Sequence, residues 1–390
     1  MQTRSPCCTP RQIAEVCPFA IPVALGSQSL EERDRRPVTE MHQHPSLISG
    51  RVRRNKTRVA VVGAGHYGTH HINAYRRHPD MDLVAVCDSD PVRGEELARS
   101  CGARGYSRLE DMLKKETIHV VSVATPDPSH TAAILTALRY GKSVLAETPL
   151  ATSGHECELI AELAARQDLL LGVDFHQRWE PVVKRIRAEL EKPETGRILQ
   201  GHIRMDTVVG TPVVRRDWAA DSSPVWFLGS HCFDLVRHIS GLEVVSVFAV
   251  GQKRVLVECG LDTWDSVQTL LTMTGGSTWV VENAWVLPEG CPAESERQID
   301  ILCEAASFHS SSRSRGLEIT TQDKTLTPDV YYPYFPKGVA GGYGISAIDD
   351  FIKAVRDGTP YPVTAQDGLA ASRICEAVHR SLISGHPEPV

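Results

Sequence analysis

The sequence predicts an α/β protein of two domains, an N-terminal doubly wound parallel sheet and a C-terminal α/β domain with a largely antiparallel, open-faced sheet. Three observations carry this. A β-branched run from Thr57 to Val62 ends in Gly63-Ala64-Gly65-His66-Tyr67-Gly68 and leads into a helical pattern. Strand and helix patterns then alternate across short connections, as repeated βα units do. Beyond about Trp179 the period changes, and several long stretches alternate apolar with polar residues, the mark of half-exposed strands.

In chain order, the run at Thr57 reads as a buried parallel strand and the helix after the glycine turn extends to about Arg77. Met81 to Asp88 makes a second strand. Pro91 suits the first turn of the next helix, which continues from Arg93 to Ser100. A short helix from Arg108 to Lys115 precedes a strand from Ile118 to Ala124. A helix from Pro128 to Tyr140 ends at Gly141, and Ser143 to Ala146 forms another strand. In the second half, a helix over Pro181 to Glu191 leads to a strand over Arg197 to Met205. Further strands fall near Val244–Val250, Ser266–Met273, Ser277–Trp285, Gln298–Cys303 and Glu318–Thr321, with Gly275-Gly276 as a hairpin signal. Ile345–Asp357 and Ala365–Ser384 read as helices that pack back on the first domain. The expected divisions are 1–55 as a disordered tail or linker, 56–176 as the dinucleotide domain, 177–344 as the substrate domain and 345–390 as the C-terminal helices.

With 390 residues the chain exceeds what one hydrophobic core usually organises. A net charge of -6 supplies no basic field for nucleic acid or anionic membrane, and no apolar run reaches the length of a membrane span. The 11 cysteines have no paired spacing, so neither a zinc site nor a disulfide framework is expected. Reduced thiols point to the cytoplasm. The first fifty residues are rich in Pro, Arg, Ser and Gln; Glu15, Glu31 and Glu32 argue against a transit peptide, and Met41 offers an alternative start.

The glycine turn is the first candidate site. Gly63 permits the tight bend, Gly65 lets backbone approach a pyrophosphate, and Gly68 lets helix and strand pack closely. The first helical turn, with His66 and Tyr67, presents free N–H groups and the positive end of the helix dipole. Asp88 closes the next strand about 20 residues on, the spacing of a Rossmann-type fingerprint. Its carboxylate can accept from both ribose hydroxyls and would repel a 2′-phosphate, which favours NAD over NADP, although Arg93 lies close by. Thr125 and Pro126 fall at the carboxyl edge of the sheet, where ligands bind. His130 opens the next helix and reads equally well as a packing residue or as a neighbour of the nicotinamide.

With these elements in place the sequence resembles the glucose–fructose oxidoreductase / inositol dehydrogenase (Gfo/Idh/MocA) family from about Thr57 onward. The likeness rests on the glycine turn with Asp88, on Ala124-Thr125-Pro126-Asp127-Pro128-Ser129-His130, on Gly141 to Pro149, on Val173 to Trp179, and on Leu228-Gly229-Ser230-His231-Cys232-Phe233-Asp234. It implies a substrate held between nicotinamide and sheet, and oxidation or reduction of a secondary alcohol on a sugar, cyclitol or polyol. It also implies a homo-oligomer, dimer or tetramer. Two positions depart from the family pattern: Thr148 stands where a catalytic lysine is usual, and Phe227 where an aspartate is frequent.

Of the usual group, His231 remains. An imidazole titrates near neutrality, so His231 is the expected base for the alcohol proton. Asp234 lies three residues on, where a helix would place both on one face, for Asp234 either to orient the ring or to cap another group nearby. Thr148 can position a hydroxyl or relay its proton, but cannot hold a proton as lysine does. The resemblance places Pro149 in a cis bond, Glu147 at the nicotinamide ribose and His176 facing substrate. Arg216, Trp218 and Trp226 offer guanidinium and aromatic groups that suit a carbohydrate face or an anionic substituent, and equally an interdomain contact. The Tyr331-Tyr332-Pro333-Tyr334 and Gly341-Gly342-Tyr343-Gly344 stretches suggest a lid. Three functions are open: an NAD-dependent polyol oxidoreductase, a redox-neutral elimination or glycoside cleavage that recycles its cofactor, and a non-catalytic NAD-binding regulator.

Overall fold

A computed structural model describes residues 56–214, 216–314 and 342–390, and four two-residue strands between 319 and 340. The expected tail, Arg215 and the aromatic residues Tyr331 and Tyr332 lie outside the described residues.

The first sheet is wholly parallel. Its strands are β1 (Thr57–Val62), β2 (Met81–Cys87), β3 (Arg104–Tyr106), β4 (Val120–Val123), β5 (Ser143–Ala146) and β6 (Leu171–Val173), in the order β3-β2-β1-β4-β5-β6. The helices between them are α1 (His66–Arg77), α2 (Pro91–Cys101), α3 (Leu109–Lys115), α4 (His130–Arg139) and α5 (Gly154–Arg166). Strand order reverses between β1 and β4, which opens a crevice at their carboxyl ends. Helix α5 went unassigned in the sequence reading, although Cys157, Ile160 and Ala164 bury one of its faces.

The helix α6 (Pro181–Leu190) enters the second half. It contributes β7 (Ile198–Val208), the short helices α7 (Gly210–Val214) and α8 (Arg216–Ala219), α9 (Ser230–Ser240), β8 (Val244–Gln252) and α10 (Val255–Glu258). There follow β9 (Ser266–Met273), β10 (Thr278–Leu287), β11 (Ser295–Cys303) and β12 (Ser307–Ser311). The minor strands β13 (Ile319–Thr320), β14 (Thr325–Leu326), β15 (Tyr334–Phe335) and β16 (Val339–Ala340) form two small ribbons. Helices α11 (Tyr343–Asp357) and α12 (Ala365–Ser384) and the short β17 (Glu388–Pro389) end the chain. The seven-stranded order is β12-β11-β7-β10-β9-β8-β17, antiparallel except where β7 runs parallel to β10. The β9–β10 hairpin turns at Gly275-Gly276 as expected, with Gly276 at φ +81.

Two apolar cores result, and the C-terminal helices belong to both. Ile345, Ile348, Phe351 and Ile352 of α11 enter the first core; along α12, Leu369 and Ala371 enter the first and Ile374, Cys375 and Val378 the second. A single rigid helix thus ties the two sheets.

The glycine turn is set by close contact rather than flexibility. Gly63 has φ +98, and a Cβ on Gly68 would overlap the Gly63 carbonyl oxygen. Gly68→Ala should therefore lower stability by about 1–3 kcal/mol through overpacking, measured as a lower denaturant midpoint; an unchanged midpoint would contradict the close approach.

Candidate active site

A cavity of about 930 Å³ runs from the glycine turn and Asp88, past Thr125–Ser129, to Thr148, His176 and His231, and on to Met205, Thr207 and Arg297 of the second sheet. At the dinucleotide end Gly65 caps α1 without a side chain, and a Cβ there would meet nothing within 4 Å. The turn therefore leaves open space in front of the first-turn N–H groups, where a pyrophosphate fits. His66, Tyr67, Thr125 and Pro126 line the same cavity.

Asp88 is held firmly. Its Oδ2 accepts from Ala64 N at 2.6 Å and Arg93 Nε at 3.2 Å, and its Oδ1 from Asp90 N at 2.8 Å and Arg93 Nη2 at 2.7 Å. Burial opposes the charge, but Arg93 and these backbone donors outweigh it and hold the carboxyl below its usual range. Arg93 itself is half exposed.

At the other end, Thr148 follows β5 and its hydroxyl lies 2.9 Å from His231 Nε2. Thr148–Pro149 is cis. His231 lies at the start of α9, just after the π-helical turn Val225–Gly229, a geometry frequent at functional sites. Its ring is open to the cavity on one side and otherwise deep in protein. Burial lowers its pKa to about 4, with Glu147 pulling weakly the other way, so the imidazole is neutral. The His176 ring sits 4.8 Å from it, centroid to centroid, and burial also drives His176 far down. Phe227 packs on Trp218 and Trp285 at 5.7 and 5.8 Å, forming an apolar wall. No lysine lines the cavity among the described residues.

Several expected placements are corrected. Asp234 does not orient His231. Its carboxylate is buried and taken by Arg178, at 2.8 Å from Nε and 2.5 Å from Nη2, while His231 Nδ1 has no hydrogen-bond partner among the described residues. The ring and the carboxylate point to opposite neighbours because Arg178, with Asp367 also on its guanidinium, anchors the far side of α9. His130 is a packing residue. Both ring nitrogens are spent on carbonyls, Pro149 O at 2.6 Å and Thr125 O at 2.7 Å, so it braces two cavity loops from behind. Trp226 stacks on His379 at 5.3 Å and does not line the cavity. Glu147 lines the cavity, with Oε1 2.9 Å from His71 Nε2 and Oε2 3.3 Å from Thr148 N. The Arg216 side chain lies outside the described residues.

The sequence reading missed His71, Ser122, Asp174, Gln177 and Arg297. His71 Nδ1 meets Ser122 Oγ at 2.7 Å, and Tyr75 meets the same oxygen at 3.0 Å. Arg297 is buried in the second sheet, pairs with Glu180 and donates to Gln177 Oε1. The available signal was polarity on buried periodicity: His71 falls on the Gly68–Tyr75 face of α1, and Asp174 sits between Val173 and Phe175.

Arg178 supplies a stability test. Arg178→Ala strands the buried Asp234 charge and should cost about 3–5 kcal/mol, seen in the urea midpoint. A loss confined to activity would show that the pair is not structural.

Comparison with known proteins agrees with this geometry. Residues 57–175 match the GFO/IDH/MocA oxidoreductase family with its NAD-binding Rossmann fold, and residues 183–309 match the GFO/IDH/MocA C-terminal domain. The inositol 2-dehydrogenase of Rhizobium meliloti (strain 1021) is 25% identical over 330 residues, covering 83% of this chain and 96% of that protein. In fold, the chain is similar to GenD2 from gentamicin A biosynthesis in complex with NAD, at TM-score 0.75 and 23% identity, over 86% of this chain and 97% of that one. It is likewise similar to the Lactobacillus casei scyllo-inositol dehydrogenase with bound NAD(H) and scyllo-inositol, at TM-score 0.72 and 15% identity, over 86% and 99%. Both halves of the chain, the glycine-turn domain and the sheet that faces it, thus carry the signature of one lineage, and the protein belongs to the Gfo/Idh/MocA oxidoreductase family.

Proposed function

We propose that the protein is an NAD-dependent oxidoreductase acting on a secondary hydroxyl of a sugar, cyclitol or related polyol. The observation that carries this reading is the 2.9 Å contact of Thr148 Oγ1 with a neutral His231 Nε2 inside the cavity that also holds the dinucleotide turn. The nicotinamide, when bound, supplies the hydride acceptor. The chain's own residues do the rest. Thr148 Oγ1 holds the substrate hydroxyl and takes its proton as it passes its own to His231 Nε2, the base. Phe227 and Trp218 offer apolar and aromatic surface to the ring face of a polyol, while His176, Thr207 and Arg297 offer polar contacts at its edge.

Asp88, freed when the exposed Arg93 swings away, accepts from the ribose hydroxyls, which favours NAD over NADP. Because the guanidinium fills the same acceptor sites, Arg93 competes with the ribose. The family relatives described as inositol 2-dehydrogenase and D-apiose dehydrogenase support a polyol substrate. The open-faced second sheet offers a surface for self-association as a dimer or tetramer, and the cytoplasm suits buried thiols such as Cys87, Cys157, Cys232 and Cys375.

The test is incubation with NAD and a panel of sugars, inositols and their glycosides, following NADH and products together. NADH formed in step with ketone supports the reading. Products without net NADH would replace it with redox-neutral cleavage, and tight NAD binding without turnover would replace it with a regulator. His231→Ala should cut turnover about 10²–10⁴-fold with NAD affinity unchanged, and an unaltered rate would refute the base assignment. Since the base must be neutral, kcat/KM should hold as pH falls below 6 and drop as it passes about 4; a limb at the ordinary histidine pKa of about 6.5 would contradict the buried, neutral ring. Asp88→Ala should weaken NAD binding about tenfold to a hundredfold, for loss of charged hydrogen bonds worth about 1.5–3 kcal/mol, measured by calorimetric titration.

A further inference from the structure

Behind Thr148 lies a buried polar group that the proposed chemistry leaves idle. Asp174 follows β6, is fully buried, and has no hydrogen-bond partner at either oxygen among the described residues. Titratable groups face it from every neighbouring element. From α1 come His71, with Nε2 3.6 Å from Asp174 Oδ2, and Tyr75. Just after β5 comes Glu147; the nearest side-chain nitrogen and oxygen atoms of His71, Glu147 and Asp174 all lie within 4.8 Å of one another. His176 Nδ1 is 4.0 Å from Asp174 Oδ1, and Tyr361 approaches from the segment between α11 and α12. No lysine or arginine pairs with Asp174 or Glu147 among the described residues.

Two buried carboxylates this close, with no lysine or arginine beside them, resist ionising together. The asymmetry between them is built into the packing. Glu147 has the 2.9 Å bond from His71, whose other nitrogen is held by Ser122, so it keeps the charge against the cost of burial. Asp174 has no donor; burial, and then the charge on Glu147, drive it well above the usual carboxyl range.

We propose that Glu147 and Asp174 hold one proton between them in the resting site and are the store that takes up the proton leaving the substrate hydroxyl. This rests on the oxidation proposed above, in which the carbinol carbon loses a hydride to the nicotinamide and the oxygen loses a proton, through Thr148 Oγ1, to His231 Nε2. A buried imidazole with a pKa of about 4 does not keep that proton at neutral pH. Oxidation also removes one positive charge from the cofactor, so the carboxyl pair binds a second proton more readily at the step that releases one. Giver and taker, His231 and Glu147, line the same cavity, which is the route open to the proton, while the Thr148 N–H on Glu147 only holds that carboxylate in place. The pair ends with two protons, which it returns to solvent before the next cycle.

Proton linkage of cofactor binding tests this without turnover. NAD+ and NADH are titrated calorimetrically into the full chain, in neutral buffers of differing ionisation enthalpy. The positive nicotinamide of NAD+ should expel a fraction of a proton per site and NADH should not. Asp174→Asn, which replaces a neutral acid with a neutral amide, should fold with an unchanged melting temperature, bind both forms, and abolish the difference. Equal proton exchange for both forms in the unmodified protein overturns the proposal, whether or not the variant folds. So does a difference that survives in folded Asp174→Asn, or a stoichiometric divalent ion in the purified protein. Because binding is the readout, failure of the polyol panel leaves this result intact, and the two readings fail separately.

Discussion

The 2.9 Å contact between Thr148 and His231 is the point on which the rest of the site depends. One residue ends a strand of the parallel sheet and the other begins a helix lying on the second sheet, so neither domain can form it alone. A hydrogen bond tolerates little slack, and the chain supplies rigidity from three sides. Helix α12 puts successive turns into the two cores. Arg178, leaving the first domain, grips Asp234 on the same helix as His231 and Asp367 at the start of α12. His130 braces the carbonyls of Thr125 and Pro149 and holds both cavity loops in register. A buried ion pair is a poor source of net stability, but breaking one is costly, and that cost makes it a good device for fixing one helix orientation.

Dryness shapes the electrostatics of this site. Burial drives His231 and His176 to their neutral forms and raises Asp174, while His71 preserves the charge on Glu147. A lysine at position 148 would have brought its own cation and its own exchangeable proton. Threonine brings neither. On the proposed mechanism the acid–base burden falls on the imidazole in front and on the carboxyl pair behind. Phe227 brings no charge either: it packs on Trp218 and Trp285 as an aromatic wall where a carboxylate is frequent in the family.

Much of the fold was legible in the sequence because it depends on local patterns. The apolar run at Thr57, the glycine spacing through Gly68, Asp88 after the second strand, and the period-two strands from Ser266 to Trp285 are dictated by backbone sterics and one-sided burial, and these act within a few residues. Helix α5 and strand β6 were harder to see, since the apolar residues from Leu169 to Val173 suit either a strand or a helix. The parallel pairing of β7 with β10 could not be read, because nothing local records which distant strand becomes a neighbour.

The site divided along the same line. The sequence alone determined the dinucleotide turn, the acid that follows it, and the presence of one histidine where a catalytic group was expected, because each is carried by short motifs. Only the tertiary structure decided what those groups do to one another. It turned Asp234 away from His231 toward Arg178, moved His130 behind the loops, took Trp226 out of the cavity, and set Asp174 beside Glu147 with no lysine or arginine next to them. Those outcomes depend on which side chains meet across two cores and how little water reaches them; both are properties of long-range packing.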